Sequence, residues 1–218
     1  PAGFASIATW AFDGLESLTS VTIHSGITSI GPFAFRGTRL TSVVLPANLA
    51  EVPEEAFSEV TTLSSVTFGS GTTTIGYKAF MGTGLTSLAL PNSITELGQN
   101  AFYACRELAS LTIGEGISTI PRYGFAADGN NQHAGLTITI PSTVTRIENS
   151  AFYQSGATSV AIGENVELIG NSAFRDMKNL VEIVIPGSVG SIEWGAFWNC
   201  ELLATVTIQH GVQRIDQN

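Results

Sequence analysis

The chain is poor in charge, in cysteine and in long apolar runs, and each shortage closes off a class of function. Charged residues make up 12% of the 218 positions, against roughly 25% in an average soluble domain. Nine Lys and Arg face eighteen Asp and Glu, for a net charge of −9. So few, dispersed cations cannot build the phosphate-neutralising stripe that nucleic acid needs, and the sign disfavours anionic lipid. No apolar run approaches the roughly 18 residues of a membrane-crossing helix, so membrane insertion is not expected. The two cysteines and three histidines form no group with zinc-ligand spacing. No nucleophile with a base and an orienting group emerges either. Neither catalysis, nor a cofactor, nor a metal centre is expected. Asn-x-Ser/Thr glycosylation acceptors are missing as well.

What the chain has is a period. A small residue followed by Phe recurs nine times, at Ala11-Phe12, Ala34-Phe35, Ala56-Phe57, Ala79-Phe80, Ala101-Phe102, Gly124-Phe125, Ala151-Phe152, Ala173-Phe174 and Ala196-Phe197. The steps from Phe to Phe are 23, 22, 23, 22, 23, 27, 22 and 23 residues. Such a period signals a solenoid, whose units bury their apolar faces only by stacking on one another. The expectation is one domain over residues 1–218, of about nine units of 22–23 residues. The chain opens partway into a unit and stops before another Ala-Phe, so it reads as a fragment of a longer one.

Within a unit, residues 18–40 serve as the pattern. Leu18 to Ile23 alternates around β-branched residues, as a strand does. His24-Ser25-Gly26 turns the chain, Ile27 and Ile30 point back inside, and Gly31-Pro32 starts a short helical turn carrying Ala34-Phe35. Nine such strands predict a parallel sheet on one face, with neighbours roughly 4.8 Å apart and the Phe residues stacked beneath the opposite one. The residue after the strand alternates between Pro46, Pro91, Pro141, Pro186 and Gly69, Gly114, Gly163. The units thus come in pairs, and Pro should end strand hydrogen bonding in alternate units. The longer step between Phe125 and Leu136 places an insertion loop near 126–135, expected on the outside of the solenoid.

Several motifs carry the resemblance to a known class. Pro186-Gly187-Ser188-Val189 with Ile192 and Ala196-Phe197, and Pro91-Asn92-Ser93-Ile94 with Leu97 and Ala101-Phe102-Tyr103-Ala104-Cys105, resemble the BspA-type leucine-rich repeat. That class is found in bacterial surface proteins and in large protist families, and the similarity covers nearly the whole chain. It implies a leucine-rich-repeat solenoid with nine short parallel strands on one face and short helical turns carrying Ala-Phe on the other. It also implies an extracellular or cell-surface adhesin that binds host or matrix proteins.

Candidate binding residues fall on two surfaces. On the strand face, the outward columns hold Ser20, Thr22, Ser65, Thr67, Ser110, Thr112, Thr137, Thr139 and Thr207. These form a nearly uncharged surface without aromatics, although strand propensity alone also accounts for them. Around the Ala-Phe motif, Trp10, Tyr77, Tyr123, Trp194 and Trp198 make an aromatic rim, able to anchor a partner or to cover gaps between turns. Cys105 and Cys200 occupy one slot four units apart, roughly 19 Å by strand spacing, so they are read as free thiols. Asp128-Gly129-Asn130-Asn131 offers oxygen ligands for calcium, but turn chemistry explains the same residues. A protein-binding segment is the first reading. A spacer or scaffold, with end-to-end self-association of its open ends, is the alternative. Ice or crystal-surface binding by the Thr column stands behind both, because Val44, Ala89, Ala161 and Val184 interrupt it.

Overall fold

A computed structural model describes residues 5–129 and 135–217. The chain winds as a parallel β-solenoid of about nine turns. The longer strands run through Ser42–Val44, Ser65–Thr67, Ser87–Ala89, Ser110–Thr112, Thr137–Thr139, Ser159–Ala161, Glu182–Ile185 and Thr205–Ile208. Inward residues such as Val43, Leu88, Ile138 and Ile183 are buried, while their neighbours face solvent. Residues 18–23 take no assigned strand; that turn touches its neighbour through Arg39 N–H to Leu18 O and Thr41 N–H to Thr19 O.

A second ladder was not expected. The Ile27 and Ile30 segment of each unit was read only as pointing inward. Its residues pair as two-residue strands, from Ser6–Ile7 and Ser29–Ile30 to Ser191–Ile192 and Arg214–Ile215. A period-2 signal cannot be recognised over two residues, which is why the sequence hides it.

The helical turns around Ala-Phe are corrected by the structure: no helix occurs among the described residues. In the second unit Phe33, Phe35 and Gly37 donate their N–H groups to Glu54, Ala56 and Ser58 of the next unit, at 2.9–3.0 Å. The residues between them, Ala34 and Arg36, bond back three positions, to Gly31 and Phe33. A helix would commit every N–H within its own segment. Here every second one leaves for the neighbouring turn, so the segment becomes a third ladder. Its alternation requires left-handed backbone just before the Ala-Phe pair, at Phe33 (φ 61), Lys78 (φ 53) and Tyr123 (φ 54), and again two residues after Phe, at Gly37 (φ 64) and Gly82 (φ 68).

The core is a column of phenylalanine. Phe12, Phe35, Phe57, Phe80, Phe102, Phe125, Phe152, Phe174 and Phe197 stack successively with centroids 5.2–5.6 Å apart and planes within 13° of parallel. The Ala before each buried Phe from Ala34 to Ala196 is fully covered. Gly124 breaks that rule because a Cβ there would lie 3.0 Å from Pro121 O and 3.1 Å from its ring. The insertion opens later than its sequence bounds suggested. Ala126 accepts from Ala104 N–H and Ala127 donates to Tyr153 O, so both still belong to the ladder.

Candidate functional site

Three long surfaces result, one from each ladder. On the strand face, Ser20, Thr22, Ser65, Thr67, Ser110, Thr112, Thr137, Thr139 and Thr207 are all exposed. Ser20 and Thr22 lie on the turn without an assigned strand, while the others extend the face in register. Among the described residues, none of these nine hydroxyls has a hydrogen-bond partner in the protein. Hydroxyls beside them do: Thr62 Oγ1 donates to Leu40 O at 2.8 Å and Ser64 Oγ to Thr41 O at 3.0 Å. Val44, 64% exposed, and Val184 interrupt the column with methyl groups. A depression of about 340 Å³ lies on this face between Ser159–Ala161 and Glu182–Val184, with Glu164 and Gln209 at its edge.

The turn face carries the aromatic rim. Trp10 (61% exposed), Tyr77 (40%), Trp194 (48%) and Trp198 (45%) stand out from it, and Tyr123 is half-buried. The five do not form one platform. Trp10 stacks on Phe33 at 5.9 Å at one end. Tyr123 sits edge-on between Tyr103 (6.0 Å) and Tyr153 (6.5 Å), and Trp194 meets Trp198 at 5.8 Å. Cations cover several rings: Arg36 over Phe33, Lys78 over Tyr77, Arg122 over Tyr123, and Arg175 over Trp198 at 3.9 Å. Acids hold those cations in turn, with Asp13 on Arg36 at 2.8 Å and Glu55 on Lys78 at 3.7 Å. Burial pushes the Tyr103 and Tyr153 phenols up, while a hydrogen bond with Ser150 pulls Tyr123 down against its own burial. Part of the rim is therefore packing, as gap-covering required.

The corner between the second ladder and the turn face was missed. The column two positions before Ala reads Tyr77, Gln99, Arg122, Asn149, Asn171, Trp194. Glu148 Oε2 accepts from Arg122 N–H at 3.0 Å, and Glu193 Oε2 accepts from Asn171 N–H at 3.1 Å and its Nδ2 at 2.8 Å. Reading the repeats vertically at that slot would have found it, because all six units from Tyr77 to Trp194 hold a polar or aromatic residue there.

Cys105 is buried and Cys200 half-buried, and both are free thiols. Burial raises each to about 11, so both are neutral near pH 7. Asp128 of the suspected calcium loop pairs with the Arg106 guanidinium, through Nε at 2.9 Å. Asn130 and Asn131 lie outside the described residues, as does His133. Among the described residues no three His, Cys, Asp or Glu groups converge, and no helix is long and apolar enough to cross a membrane.

The sequence matches the model of the BspA-type leucine-rich repeat region, which holds six copies of the repeat, over residues 1–109, 28–137 and 101–218. The chain belongs to the BspA-type leucine-rich repeat family. Solved structures agree on the fold of this BspA-type chain. It is similar to a leucine-rich repeat protein from Bacteroides ovatus ATCC 8483, with a TM-score of 0.56 at 19% identity, over 97% of this chain and 78% of that one. It is also similar to the pneumococcal vaccine antigen PcpA, with a TM-score of 0.59 at 22% identity, over 99% of this chain and 56% of that one. No curated protein sequence matches the chain.

Proposed function

We propose that the chain is a non-catalytic, protein-binding adhesion segment, displayed outside the cell, and that its strand face is the contact surface. The observation that carries this reading is the contrast in hydroxyl use. The hydroxyls of Ser65, Thr67, Ser110, Thr112, Thr137 and Thr139 make no hydrogen bond to the described protein, while those of Thr62 and Ser64 bond carbonyls of the preceding turn. A row of free donor–acceptor groups, interleaved with exposed methyls and nearly without charge, suits a broad, flat protein partner. Family membership supports a surface-displayed repeat protein, and so does the vaccine antigen among its structural neighbours.

The test is binding to a panel of immobilised extracellular-matrix and host-surface proteins, beside the triple variant Thr67→Lys, Thr112→Lys, Thr139→Lys. These positions are exposed, so the variant should retain the fold by circular dichroism. Saturable binding that the variant loses supports the reading. Equal binding by both moves the contact off the strand face, and silence from both removes the adhesion reading.

A further inference from the structure

The corner column has a chemistry that the strand-face reading leaves unused. Two adjoining depressions, of about 400 and 450 Å³, run along it and share Gln99 and Glu148. Each falls within the usual range of a small-ligand site, about 300–1,000 Å³. Amides and charged groups dominate the first, with Gln99, Arg122, Arg146, Glu148, Asn149 and Asn171 among them, and the second adds Glu96. Glycines beside the column let successive turns approach closely: a Cβ on Gly98 would lie 2.4 Å from Gly76 C, and one on Gly170 2.7 Å from Asn149 Oδ1. The same slot holds an exposed aromatic ring one turn beyond each end of the polar run, Tyr77 before Gln99 and Trp194 after Asn171.

From this we infer that the corner binds a linear, neutral oligosaccharide of extended, equatorially linked hexoses, lying along the solenoid axis. Three observations select that class. First, the lining is rich in amides and carboxylates that are held in place, since Asn171 is fixed by Glu193 and by Asn149 Oδ1 at 3.1 Å. Side chains that both donate and accept at short intervals suit vicinal hydroxyls. Second, across the two depressions two cations, Arg122 and Arg146, face three carboxylates, Glu96, Glu148 and Glu193. The strip carries a formal charge of −1, which disfavours phosphorylated or sulfated ligands. Third, the groups repeat once per turn, roughly every 4.8 Å along the axis, close to the advance of one sugar in an extended β-1,4-linked chain. An extended peptide advances roughly 3.3 Å per residue and returns to a column only with every third residue, at every second turn. The five steps from Tyr77 to Trp194 span roughly 24 Å by the same spacing, enough for about five sugars between the aromatic rings.

The experiment is isothermal titration calorimetry of the intact chain with cellohexaose, mannohexaose and chitohexaose. Maltohexaose serves as the coiled control, and a sulfated hexasaccharide and a polar hexapeptide as competitors. At least one extended neutral hexasaccharide should bind saturably and more tightly than maltohexaose. Asn149→Ala with Asn171→Ala should weaken it at least tenfold. Trp194→Ala, at an exposed ring, guards against a folding defect in that double variant and should weaken it severalfold. The strand-face triple variant should leave it unchanged, which separates failure here from failure of the adhesion reading. Lack of binding by all three extended sugars would overturn the assignment. So would tighter binding of the sulfated sugar or the peptide, or affinity untouched by all the corner variants.

Discussion

Truncating one ring in the middle of the phenylalanine column should cost about twice what it costs at the end. Phe80 is fully buried and stacks on Phe57 at 5.3 Å and Phe102 at 5.4 Å, with Phe68 edge-on at 5.8 Å. Removing a buried Phe side chain costs about 3–5 kcal/mol, with the unfilled cavity included. Three lost ring pairs, each on the order of 1 kcal/mol, place Phe80→Ala toward the upper end. Phe12 is only half-buried and stacks on one ring, Phe35 at 5.2 Å. Less area returns to water and one pair is lost, so Phe12→Ala should cost about 2 kcal/mol. Phe80→Leu keeps much of the volume and should cost about 1.5 kcal/mol. Urea unfolding followed by far-ultraviolet circular dichroism measures all three, with the slope m fitted as well as the midpoint. Because each turn contacts only its neighbours, Phe80→Ala should also lower m as the two halves uncouple. A Phe80→Ala cost no larger than that of Phe12→Ala, with m unchanged, would refute the argument.

Two further outcomes follow from backbone and burial. Ala104 holds a left-handed φ of 58° in the slot that Gly14, Gly37 and Gly82 occupy in other turns; Ala104→Gly should stabilise the chain by about 1 kcal/mol in the same urea assay, and a loss would mean that its methyl contact outweighs the strain. Burial raises the Cys105 and Cys200 thiols from 9 to about 11. The folded chain therefore holds these protons more tightly than the unfolded one, so their contribution is complete below pH 9 and lost as pH rises through 11. For Cys105 that loss approaches about 3 kcal/mol; Cys105→Ser should flatten the alkaline limb of a stability–pH curve, and coincident curves for the two proteins would contradict it.

The phenylalanine column and the strand face were legible because each follows from a residue repeated at one slot. Phe35, Phe57 and Phe80 occupy matching places, and stacking is the only way units of this size bury them. The helical turn was misread because Gly31-Pro32 followed by Ala34-Phe35 has the composition of a helix start. The destination of the N–H groups of Phe33 and Phe35 is decided by the neighbouring turn, which no local window contains. The corner strip failed for another reason. Its residues, Gln99, Arg122, Asn149 and Asn171, differ in type, so the slot shows no conserved letter along the chain. Only its position, two before the small residue, unites them.

The alternation of Pro and Gly after the strand shows how the sequence sets pairing between turns. Leu45, Leu90 and Ile140, each just before a proline, donate their N–H to Thr67, Thr112 and Ala161 of the next turn at 2.9 Å. A proline therefore does not shorten the strand before it: Ser42–Val44 and Ser65–Thr67 are equally long. In three of the four pairs a glycine follows the second strand; in the fourth, Gln209 stands there and the register is four residues long. A Cβ on Gly69 would lie 2.2 Å from Pro46 O, on Gly114 2.6 Å from Pro91 O, and on Gly163 2.5 Å from Pro141 O. Each glycine lets its turn close onto the proline turn before it, and those pairs register three residues each. The junctions from a glycine turn to the next proline turn are weaker. Ser159–Ala161 registers only two residues with Glu182–Ile185, and among the described residues Ser65–Thr67 and Ser110–Thr112 are not laddered to the strands that follow them. The paired units legible in the sequence are thus paired in hydrogen bonding. The depression on the strand face opens at such a glycine-to-proline junction, beside Pro186, so the alternation that joins turns in pairs also marks where the strand face is indented.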